Sequence, residues 1–163
     1  MNKKNPILDR YLIVKSECQS LDFEISFVGK QVGITKSQKN SEYEIQTEKI
    51  KRIVSLRKAR CERLYSDIQN LKSLRENTHK ADEKCAISAE IDSIYREINA
   101  LKEESDKEIA ACRKSIENAK QIYLGRVDKL HELKAERKEK LFLKNELYQK
   151  LSEDKKRKDA LER

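Results

Sequence analysis

The run Glu76-Asn77-Thr78-His79-Lys80-Ala81-Asp82 decides the fold, because it is a polar stretch near mid-chain, between two apolar-periodic segments, that offers no seam residue. Before it, Leu64, Ile68, Leu71 and Leu74 recur at steps of three and four, and after it Ile87, Ile91, Ile94, Ile98 and Leu101 do the same. That spacing lines apolar side chains along one stripe of an α-helix, the seam of a coiled coil. Asn and Asp end and restart helices, so a turn over about residues 77–82 joins two of them.

Moving outward from the turn toward the N-terminus, the seam continues through Cys61, Arg57, Ile53 or Val54, and Ile50. It weakens between Gly33 and Lys49, where Ile34, Tyr43 and Ile45 offer the apolar bulk, and resumes as Val32, Val28, Ile25, Leu21, Cys18 and Val14. The two registers differ by about one residue, which implies local unwinding of the coil and not a new domain. Pro6 suits a first helical turn, where its missing amide has no intrahelical partner, and Asn5 is placed to cap it. On the other side the seam runs on through Ile109, Cys112, Ile116, Ala119, Tyr123, Val127, Leu130, Leu133, Leu141, Leu147 and Leu151.

The expected fold is therefore all-α: one long antiparallel two-helix coiled-coil hairpin, with helices over about residues 6–76 and 83–158. Each arm of about 70 to 75 residues reaches about 105 Å at 1.5 Å per residue. Folding about residue 79 pairs positions whose numbers sum to about 159, so Cys61 faces position 98 and Cys112 faces position 47. The two thiols then lie roughly 20 Å apart along the axis, too far for a disulfide. The rule also brings Gly29, Gly33 and Gly125 to one level, which reads as a hinge or as a close approach of the helices.

Composition agrees. With 37% hydrophobic and 40% charged residues there is little apolar surface for a thick globule, and three glycines with one proline cannot supply the turns of a sheet-rich fold. The net charge of +8 is concentrated early, with 17 bases against 10 acids in the first 80 residues. Near the start, Asp9, Arg10 and Lys15 break any apolar run, so a soluble, cytoplasmic protein with no membrane insertion is expected. Cys18, Cys61, Cys85 and Cys112 are too widely spaced for a metal-binding or thioredoxin-type pair, and reduced thiols are expected.

No phosphate loop, nucleophile elbow or paired-histidine motif occurs. Carboxylate neighbours such as Glu103 and Glu104 face water on a slender hairpin, without a concave site to shift their pKa values. No catalysis, cofactor, metal or small-molecule substrate is expected. The strongest electrostatic candidate is the segment of Lys51, Arg52, Arg57, Lys58, Arg60 and Arg63, which meets one acid, Glu62. At 100° per residue these side chains surround much of the helix, with Arg57 close to the seam, so they read equally as a solvated face. The aromatic residues are scattered, without the clustering of a base-stacking platform. Phe23 and Phe27 stand one turn apart, offset from the seam, and Phe142 lies nearly opposite by the folding rule. This apolar flank near the termini could grip a third partner, seal the hairpin, or seal a dimer.

The opening Ile7-Leu8-Asp9-Arg10-Tyr11-Leu12-Ile13-Val14, the early Cys18-Gln19-Ser20, the polar mid-chain turn and the following Ile91-Asp92-Ser93-Ile94-Tyr95-Arg96-Glu97-Ile98 resemble the central stalk proteins of bacterial type III secretion, the YscO/SctO and flagellar FliJ family. The resemblance covers the whole chain. It implies that the paired terminal segments insert into a hexameric export ATPase while the rest reaches toward the cytoplasmic domain of the export gate, at a membrane-embedded apparatus. Coupling would then arise at Phe23, Phe27 and Phe142 near the termini, and at Leu74, Arg75, His79 and Lys80 at the turn. Two alternatives stand beside it: an unrelated coiled-coil scaffold or tether, with self-association in a dimeric form, and a nucleic-acid or membrane-surface binder using Lys51 to Arg63.

Overall fold

The computed structural model describes residues 5–163 and contains two helices, α1 over Pro6–Glu76 and α2 over Ala81–Glu162. The start of α1 follows from its first residues. The Asn5 side-chain carbonyl accepts the amides of Ile7 at 3.1 Å and Leu8 at 3.3 Å, so two otherwise orphaned donors are satisfied just outside Pro6. At the other end the Thr78 hydroxyl donates to the Leu74 carbonyl at 2.7 Å, and the Asn77 amide to the Ser73 carbonyl at 3.2 Å. The helix thus closes without a left-handed residue, and none of the described residues has a positive φ. Helix α2 starts at Ala81, two residues before the expected position, with Asp82 and Glu83 in its first turn where the helix dipole favours acids, and it continues to Glu162.

The chain divides into two compact units: a terminal unit of residues 1–38 with 120–163, and a turn unit of residues 39–119. In each, the two helices run antiparallel. In the turn unit, Arg57 reaches Asp106 and Arg75 reaches Ser88, so numbers fall on one helix as they rise on the other. In the terminal unit, Tyr11 meets Tyr148, Glu17 meets Lys140 and Asp22 meets Arg137. The last three contacts fall within two residues of the folding rule. Those of the turn unit lie three to eight residues beyond it, so the two units do not share one pairing sum.

The turn unit holds a cluster of Cys61, Ile68, Ile87, Ile91 and Ile98, with Leu64, Leu71 and Ile94 against it; Ile68 and Ile98 are each only 1% exposed. Cys61 and Ile98 share this cluster, as the folding rule places them. The terminal unit has a smaller cluster of Val14, Cys18 and Leu147, flanked by Ile7, Tyr11 and Leu143. The four cysteines are free, and Cys85 alone is exposed.

Three sequence readings change. Ile34, Tyr43 and Ile45 do not fill the weak part of the α1 seam; all three are more than half exposed, and Thr35 and Gln46 are buried instead. Counting on from Val32 in steps of three and four lands on Thr35, Lys39, Glu42 and Gln46, so the heptad geometry decides which residue turns inward and polarity does not overrule it. Each buried polar group is satisfied by its own helix: the Thr35 hydroxyl donates to the Gln31 carbonyl at 2.7 Å, and the Gln46 amide to the Glu42 carboxylate at 2.7 Å. Of the two readings of the glycines, the close approach is the one that changes. A Cβ at Gly29, Gly33 or Gly125 would meet nothing within 4 Å, so no close helix approach requires them. Finally, Phe142 does not complete a flank with Phe23 and Phe27, for reasons of angle given below.

Candidate interaction surfaces

Phe23 lies two residues past the buried Leu21, a rotation of about 200° around the helix, so it points away from α2 and is 80% exposed. Phe27 follows one turn later and is also exposed. On α2, Phe142 lies nine residues past the buried Leu133, about 180° around, and likewise faces away from α1. The two helices therefore present their phenylalanines on opposite outer faces of the terminal unit.

The settings of the two faces differ. A helical residue is flanked by those three and four positions away. Phe23 is flanked by Gln19, Ser20, Ser26 and Phe27, none of them charged. Phe142 is flanked by Lys138, Glu139, Asn145 and Glu146. Lys138, Glu139, Leu141 and Asn145 form the shallow depression around Phe142 from α2 alone.

Between these faces the arms are tied. The Tyr11 and Tyr148 rings pack at 6.1 Å with a 44° tilt, within the range of favourable aromatic pairs. Arg137 pairs with Asp22, and Lys140 with Glu17. The hydrogen bond to Glu17, and then the Glu17 charge, raise the Lys140 pKa above its ordinary value. Neither Arg137 nor Lys140 stands out in a search for apolar seam residues, yet both continue the α2 spacing from Leu133 in steps of four and three.

In the turn unit the basic segment is split. Arg57 sits at the seam and donates to the Ser105 hydroxyl at 3.1 Å and the Asp106 carboxylate at 2.9 Å, whereas Lys51, Arg52, Lys58, Arg60 and Arg63 are exposed. Ser105 is buried and also donates to the Lys102 carbonyl at 3.0 Å. Two reciprocal contacts flank the core: Lys72 of α1 donates to the Tyr95 hydroxyl at 3.5 Å, and Lys102 of α2 to the Tyr65 hydroxyl at 3.3 Å. Each ammonium is about 6 Å from the ring centroid, beyond the hydroxyl edge, so these contacts are hydrogen bonds more than cation–π stacking.

At the turn, Leu74 is 54% exposed, His79 and Lys80 are exposed, and Arg75 donates to the Ser88 hydroxyl at 3.3 Å. The structure therefore gathers Leu74, His79 and Lys80 at one exposed end of the turn unit and commits Arg75 to the other helix. Among the described residues, no three His, Cys, Asp or Glu side chains converge as a metal site would require, and no helix is long and apolar enough to cross a membrane. Comparison with known protein families, with characterised proteins and with solved structures finds no match.

Proposed function

We propose that the chain is a non-catalytic stalk component of a bacterial type III secretion apparatus, linking a hexameric export ATPase to the export gate and modulating the ATPase. The observation that carries this reading is the terminal unit, in which cross-arm contacts hold both helices together while apolar rings point outward on opposite sides. A stalk enclosed by a ring is touched from several directions. It can bias ring subunits only through contacts that differ between their conformations. Phe23 and Phe27 on one side and Phe142 on the other supply two unlike surfaces for that purpose. Leu74, His79 and Lys80 form the corresponding contact at the turn, on the side of the gate. The resemblance of the opening segment and of Ile91 to Ile98 to the stalk family supports the same assignment.

The test mixes the full chain with the export ATPase of the same organism and follows complex formation and ATP turnover. A complex with altered turnover is expected, and its weakening by Phe142→Asp would locate the contact. Absence of both binding and any change in hydrolysis overturns the reading. The polyanion-binding alternative is less well supported, because Arg57 is engaged with Ser105 and Asp106 and the remaining bases do not share one face. Such binding would weaken steeply with salt.

A further inference from the structure

The outer face of α1 in the terminal unit carries a regular apolar line. Leu12, Phe23 and Ile34 are 50%, 80% and 56% exposed and stand eleven residues apart in turn. Eleven residues make three helical turns with only about 20° of drift, so the three side chains lie nearly straight along the helix, with Phe27 beside them. The positions between include Ser16, Gln19, Ser20 and Ser26, with Lys15 beside Leu12 and Lys30 beside Ile34. In a chain with 40% charged residues, the uncharged surroundings of Phe23 at the centre of this line are a surface suited to another helix. Helix α2 does not cover it, because the line lies half a turn from the seam.

The pattern identifies the occupant. Leu12 precedes Phe23 by the same interval at which Ile34 follows it, so the line reads alike in both directions. That is the requirement for a twofold interface, in which residue i meets j and j meets i. With the axis at Phe23 and the α1 helices antiparallel, the two Phe23 rings meet and each Leu12 meets Ile34 of the partner subunit. Ser20 then meets Ser26 of the partner subunit, where small side chains let the backbones approach. Lys30 and Lys15, the charges beside the line, meet Ser16 and Gln31 of the partner subunit, so within the line no like charges oppose. We propose that the chain forms an antiparallel homodimer through this face of α1, an inference that does not depend on the secretion assignment; the dimer covers the Phe23 face that the stalk reading gives to the ring, so the two contacts exclude each other.

Sedimentation of the full chain over a range of concentrations should show a monomer–dimer equilibrium. Phe23→Asp should abolish the dimer with unchanged helical circular dichroism, since the side chain is exposed, and Phe142→Asp on the other outer face should leave it intact. A short bismaleimide reads the geometry directly in a Cys85→Ser background, in which the remaining thiols are buried. Phe23→Cys should cross-link to itself, and Leu12→Cys should cross-link to Ile34→Cys in a mixture while neither does so alone. A monomer at every concentration, a dimer that survives Phe23→Asp, or self-cross-linking of Leu12→Cys, which denotes parallel pairing, would each overturn the proposal.

Discussion

The two units solve the same packing problem with different materials. The turn unit packs five buried residues into one cluster, with Ile68 and Ile98 almost fully enclosed, and contains no glycine. The terminal unit clusters three, holds all three glycines of the chain, and relies on a tyrosine pair and two ion pairs to join its arms. Buried aliphatic surface contributes more to stability than exposed ion pairs do. The turn unit is therefore the stable half, and the terminal unit keeps its larger apolar side chains for the outside.

The largest effect should come from emptying the stronger core. Ile98→Ala should cost about 2–5 kcal/mol, read by urea denaturation. Val14→Ala in the terminal unit should cost less, with one methylene fewer to lose and a smaller buried cluster around it, and the reverse order would contradict the comparison. Hydrogen exchange offers the same contrast without mutation, with amides near Ile68 and Ile98 exchanging more slowly than those near Phe23.

A smaller effect is expected at the polar seam of the turn unit. Arg57→Ala should cost about 1 kcal/mol, since it removes hydrogen bonds and leaves a gap. Arg57→Leu should cost little or nothing. Ser105 keeps its bond to the Lys102 carbonyl and Asp106 is open to water, so neither is stranded. A large loss in the leucine variant would show that the arginine does more than fill the seam.

The terminal unit should respond in the opposite direction. Gly33→Ala and Gly125→Ala should each stabilise by about 1 kcal/mol, because an added Cβ meets nothing and the helix no longer carries the entropy of glycine. Calorimetry would reveal a rise in melting temperature, and a fall would mean that these glycines serve a bend.

The smallest effect is the pH response of the Glu17–Lys140 pair. The folded pKa of Lys140 is raised, so its stabilising contribution is complete below the unfolded value, about 10.4, and is lost as pH rises through the folded one. Lys140→Gln should therefore be slightly less stable than the parent at neutral pH, with the difference vanishing in strong alkali.

Much of this was readable in the residues themselves. The turn announced itself through its polar run, and Asn5 with Pro6 announced the start of α1, because capping is local chemistry. The seam was legible wherever Leu, Ile or Val occupied it. It was obscured where the register placed Thr35, Gln46, Ser105 or Arg137 inward, since a search for apolar residues passes over these and selects Ile34 and Ile45 on the far side. Counting steps from the last secure seam residue would have recovered Thr35 and Gln46. The gap of eight between Leu101 and Ile109 has Ser105 at its midpoint. The partners of Arg57 could not be found that way, because Ser105 and Asp106 lie three and four residues beyond the position the folding rule places opposite it.

The turn has a further consequence. No residue in it adopts a conformation forbidden to ordinary side chains, so what matters there is covalent continuity more than a special shape. A short link of this kind holds two segments at an effective concentration in the millimolar range. A single protease cut among residues 77–80 would convert that intramolecular encounter into one between separate chains. The persistence of helix pairing would then depend on dilution, a dependence the intact chain escapes.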